Sequence, residues 1–74
     1  MQPADKLVMM ANQIARNLAI QGEDRAVEAT ADHIQKFWDP RMRAMIAKHA
    51  AAGGKGLDPL AARAIEILPS QTRS

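Results

Sequence analysis

The chain has 74 residues, a formal net charge of +2 and no cysteine, which bounds it to one small domain near the lower edge of what a single apolar core holds together. Without cysteine there is no disulfide framework, zinc knuckle or thiolate-held iron–sulfur cluster. No apolar stretch approaches the roughly 20 residues of a bilayer span, and Met1-Gln2-Pro3-Ala4-Asp5 has no basic region followed by an apolar block, so the expectation is a soluble, cytoplasmic protein.

Phe37 and Trp38 are the only aromatic residues, β-branched residues are sparse, and Ala, Met, Leu and Ile dominate. The local propensity is therefore helical. This predicts an all-α fold, a small compact array of three to four short helices, with residues 1–68 as a single domain and 69–74 as a flexible tail.

The first helix is predicted from about Ala4 or Asp5 to Gln21. Leu7, Met10, Ala11, Ile14 and Leu18 form its buried stripe, and Gly22 supplies a left-handed stop. Met9 and Ile20 fall on the opposite side, flanking Arg16, where they cannot join the same core. An apolar pair in that place points to a surface that water does not cover.

The second helix, about Glu23 to Trp38, opens with acids that complement the positive end of its dipole. Val27, Ala31, Ile34 and Trp38 lie on one face, and Ala26, Thr30 and Phe37 widen it. Neighbours on a helix diverge by roughly 100°, so Phe37 and Trp38 both meet apolar surface only if that face has two partners.

Asp39-Pro40 and Asp58-Pro59 read as the same device used twice: an Asp side chain accepts from free helical N–H groups and Pro takes the first helical position. The third helix covers about Pro40 to Ala52 and stops at Gly53-Gly54-Lys55-Gly56. The fourth covers about Pro59 to Leu68, burying Leu60, Ala64, Ile67 and Leu68.

Little in the chain supports chemistry. His33 and His49 are its only imidazoles and have no partners at metal-ligand spacing; His49 sits on the apolar side of the third helix, where it packs or caps toward the glycines. Ser70, Ser74, Thr30 and Thr72 have no framing motif. The glycine-rich turn lacks the spacing and the preceding strand of a phosphate-binding loop. Met10, Met42 and Met45 read as adaptable core filling.

Asp5-Lys6-Leu7, Met10-Ala11-Asn12-Gln13-Ile14-Ala15, His33-Ile34, Trp38-Asp39-Pro40-Arg41-Met42-Arg43, His49 and Gly53-Gly54-Lys55-Gly56-Leu57-Asp58-Pro59-Leu60 occur in this order. Together they resemble the delta subunit of cytoplasmic NAD-dependent molybdenum formate dehydrogenases, with departures at residues 17–29 and after Leu68. The resemblance implies a non-catalytic accessory subunit that binds no cofactor itself. It implies a catalytic (alpha) subunit as partner, which this chain stabilises or helps to mature. Molybdenum bis-guanylate cofactor, iron–sulfur clusters, FMN and NAD would sit on other subunits of the complex.

Trp38, Arg41 and Arg43 form the sharpest cluster, since Trp and Arg often carry interface energy and basic residues in a first helical turn oppose the dipole. Two readings stand: they face a partner, together with Met9, Arg16 and Ile20, or Trp38 packs on its own core with Arg43 across its ring. The competing function is a free-standing helical nucleic-acid binder using Arg41, Arg43, Lys48 and Lys55. Between Pro40 and Leu57 there is no acid. Against this reading stand the low net charge and the acids Glu23, Asp24, Glu28 and Asp32 on the second helix, so the expected partners include neither nucleic acid nor membrane.

Overall fold

A computed structural model of the chain describes residues 3–68 as four α-helices: α1 (Pro3–Leu18), α2 (Glu23–Phe37), α3 (Pro40–Ala51) and α4 (Pro59–Glu66). One 3-10 turn, Ala19–Gln21, follows α1, and the described residues include no strand. The expected all-α array is what forms. The tail at 69–74 lies outside the described residues, as does Met1.

The helix boundaries follow from local chemistry. Gly22 ends the 3-10 turn with φ 96° and ψ 152°, a combination that side chains with a Cβ avoid, and it is extended in ψ rather than left-handed helical as expected. At the end of α3, the Gly54 N–H donates to the His49 carbonyl over 2.9 Å and the Gly53 N–H to the Ala50 carbonyl over 3.2 Å. This paired pattern closes a helix when the residue after the cap adopts positive φ, as Gly53 does at 121°. Asp39 caps α3 as predicted, its Oδ1 accepting from the Met42 N–H at 2.8 Å.

Asp58 departs from the expected device. Its side chain makes no cap bond to α4; Oδ2 instead pairs with Arg16 Nε at 3.4 Å, and its own N–H donates to Asn12 Oδ1 at 2.8 Å. A guanidinium within reach offers this carboxylate a charged partner in place of the backbone donors.

α1 packs on the other three helices, and α4 packs on α2 and α3. The larger core cluster joins Leu7, Val8, Ala11 and Ala15 of α1 to Ile34, Trp38, Ile46, Ala61 and Ile65; a smaller one joins Val27 and Ala31 to Ala64. Met10, Met42 and Met45 are half-buried against the larger cluster, in the filling role expected of them.

Two predicted stripes are rotated. On α1 the most buried residues are Leu7, Val8, Ala11 and Ala15, with Met10 and Ile14 only partly covered. The stripe's centre lies roughly 50° from the predicted one, half of one residue's rotation. On α4, Ala61, Ala64 and Ile65 are buried and Ile67 is exposed. The cause is the same in both. Alanine carries little hydrophobic weight in a periodicity count, yet helices approach most closely where their side chains are smallest.

Phe37 also departs from expectation. It is 71% exposed while the neighbouring Trp38 is 4% exposed. The chain breaks at Trp38, and no second helix reaches the margin of α2 on which Phe37 lies. Its ring rests on His33 instead, with centroids 4.7 Å apart.

Thr30 is wholly buried in α2, and its Oγ1 has no hydrogen-bond partner. A buried, unpaired hydroxyl costs about 1–3 kcal/mol. Thr30→Val, which keeps the shape and removes the oxygen, is expected to raise stability by about 1 kcal/mol and the Tm by roughly 4–8 °C. A melt that shows no rise would mean that the hydroxyl is satisfied in solution.

Candidate docking surface

The corner between α2 and α3 is where the sequence places its sharpest cluster, and the fold separates the members. The Trp38 ring is in the core beside Ile34 and Ile46. Arg43 is half-buried, its Nη1 donating to the carbonyls of Gln35, at 3.2 Å, and of Trp38. Those carbonyls end α2, where helical acceptors lack intrahelical partners and carry partial negative charge. A basic residue in the first turn of α3 thus serves the last turn of α2. Arg41, two residues earlier, is exposed, and its side chain has no hydrogen bond or ion pair among the described residues.

The second set of site residues lies along α1. Met9 is 66% exposed and Ile20 93% exposed; with Gln13 and Arg16 they share one stripe of the helix and the turn after it. A shallow depression of about 410 Å³ runs along this stripe, lined by Met9, Asn12, Gln13, Arg16 and Asn17. A cleft of about 450 Å³ adjoins it, with Ala15, Ala19, Pro59 and Leu60 among its lining and Arg16, Glu23 and Asp58 as its charged members. Both acids are already paired, Asp58 with Arg16 and Glu23 with Arg63. The cleft therefore presents no spare carboxylate as a base.

Asn12 is the residue that sequence reasoning missed. From the half-buried flank of α1 its Nδ2 donates to the Gly56 carbonyl at 2.9 Å while its Oδ1 accepts from the Asp58 N–H at 2.8 Å. One amide thereby fixes the whole connection between α3 and α4 to α1. The signal was present: an amide four residues from Val8, on the margin of an apolar stripe, must find partners when half its surface is covered. His49 serves the same turn, its Nε2 donating to the Lys55 carbonyl at 2.8 Å, in line with the expected capping role.

No group of three or more His, Cys, Asp or Glu among the described residues is placed to hold a metal ion. None of the described helices is long and apolar enough to cross a membrane. The depressions along α1 are lined by apolar, amide and basic side chains together with the paired acids Glu23 and Asp58. No curated protein and no solved structure matches the chain. The sequence model of one family, described as NADH-dependent formate dehydrogenase delta subunit FdsD, matches residues 6–65.

Proposed function

We propose, from the premise that this chain belongs to the delta-subunit family of NADH-dependent formate dehydrogenase, that it is a non-catalytic accessory subunit. It docks on the molybdenum-containing catalytic (alpha) subunit in the cytoplasm and stabilises it or assists its maturation. The molybdenum cofactor, iron–sulfur clusters, FMN and NAD are assigned to other chains. For the clusters this agrees with the sequence, which has no cysteine thiolate to hold one.

The observation that carries this reading is the α1 stripe, where Met9 and Ile20 stand exposed on either side of Arg16. Exposing such residues gains nothing for an isolated fold, whereas burying them against a partner removes apolar surface from water. A partner that binds only the folded form lowers its free energy in proportion to the logarithm of partner concentration over Kd.

The test is co-purification. Met9→Gln combined with Ile20→Gln is expected to weaken retention on the catalytic subunit about tenfold, since two apolar side chains are lost from the contact, with the Tm of the chain within about 2 °C of wild type because neither residue is in its core. Wild-type retention would remove the stripe from the interface. Deleting the gene should lower holoenzyme yield and formate oxidation; unchanged values would dispose of the accessory role itself. Stoichiometry in the mature complex separates a permanent subunit from an assembly factor.

A further inference from the structure

The geometry points to the outer face of α3 as a second contact, one that recognises an acidic surface of a protein partner; this rests on the subunit reading above. Arg41, Ala44, Lys48 and Ala52 are all exposed and recur at helical spacing on the side of α3 opposite the buried Ile46. Lys55, in the turn that follows, is exposed as well.

Arg16, Lys36 and Arg63 each pair with a carboxylate, and Arg43 is held by backbone carbonyls. The side chains of Arg41, Lys48 and Lys55 have no such partner among the described residues. Among the described residues outside this segment, Lys6 and Arg25 also have no ion pair, but Arg25 shares a depression with Glu28 and Asp32. The sequence from Pro40 to Leu57 contains no acid; the carboxylate beside Arg41 is Asp39, whose Oδ1 already accepts from the Met42 N–H. Arg41 also stands in the first turn of α3, where a cation opposes the helix dipole. Arg43 has an internal reason for the same disadvantage and Arg41 has none. Its use lies outside the chain.

The residues between the cations favour protein over nucleic acid. Ala44, Ala51 and Ala52 let a partner's backbone approach closely but supply none of the amide or guanidinium groups that read base edges. Three phosphate contacts would also give weak binding at physiological salt. Asn12, which lines the α1 depression with Met9, also holds the Gly56 carbonyl next to Lys55. One partner surface with an apolar centre and an acidic margin would cover both.

The experiment is retention of the full chain on the immobilised formate dehydrogenase complex, washed at about 0.05 M and about 0.5 M salt. Wild-type retention should fall as salt rises. The Arg41→Gln, Lys48→Gln, Lys55→Gln triple variant should be retained about tenfold less at low salt, with its salt dependence flattened, and with a Tm no lower than wild type. Ala44→Glu, which sets a carboxylate between the cations and removes no contact, should give the same loss. Retention of both variants at the wild-type level would overturn the basic face while leaving the subunit reading standing. Wild type that is not retained at any salt would remove the subunit reading and this inference with it. Submicromolar binding of a DNA duplex or RNA at about 0.15 M salt, abolished in the triple variant, would reassign the face to nucleic acid.

Discussion

Trp38→Ala is expected to lower the Tm of the chain by at least about 12 °C. Emptying a buried aromatic site costs about 3–5 kcal/mol in lost transfer energy and cavity formation, and in a domain of this size each kcal/mol moves the Tm by roughly 4–8 °C. Few other side chains here could compensate. The largest wholly buried ones are Ile34, Ile46 and Thr30, and much of the remaining core is alanine. Total stability for such a chain is of the order of 0.05–0.15 kcal/mol per residue, so one indole represents a large part of it. The adjacent position is the control. Phe37→Ala removes an aromatic ring that is mostly in water and replaces it with the better helix former, so its Tm should stay within about 2 °C of wild type. If the two variants melted together, the corner would not be organised as described.

The second expected result concerns Asn12. Truncation to Ala leaves the half-buried Asp58 N–H and the Gly56 carbonyl without the partner that now serves both, at a cost of about 1–3 kcal/mol, slightly offset by the helix propensity of Ala. The loss should be local before it is global. Amide hydrogen exchange is expected to quicken first in residues 53–58, while α1 keeps its protection, because the two bonds lost join that connection to α1. Asn12→Asp, which sets a carboxylate oxygen against the Gly56 carbonyl and a second charge beside Asp58, should be no more stable than the Ala variant. Uniform acceleration along the chain would mean that Asn12 contributes to the core as a whole and not to one connection.

The sequence made some of this legible and concealed the rest for identifiable reasons. Helix starts and stops depend on short-range chemistry, so Asp39-Pro40, Gly22 and the glycines after α3 could be read directly, as could the face of α2 that buries Val27, Ala31, Ile34 and Trp38. The rotated stripes of α1 and α4 could not, because which alanines sit at the closest approach of two helices depends on the partner helix. At the corner, residue type alone left two readings open, Trp38, Arg41 and Arg43 facing a partner or Trp38 packing inward under Arg43. The structure packs Trp38 inward, sets Arg43 on the carbonyls that end α2 and leaves Arg41 exposed, without an ion pair among the described residues. Met9 and Ile20 were read correctly as lying off the core, since a helix has only one buried side when its partners are all on that side.

α4 enters the fold from the far end of the chain: Ala61 and Ile65 complete the larger core cluster and Ala64 completes the smaller, while Arg63 joins it to Glu23 and Asp24 at the start of α2. Without α4 the interior shared by the first three helices would stay open to water. A copy cut short before Pro59 is therefore expected to be digested by a protease faster than the whole chain.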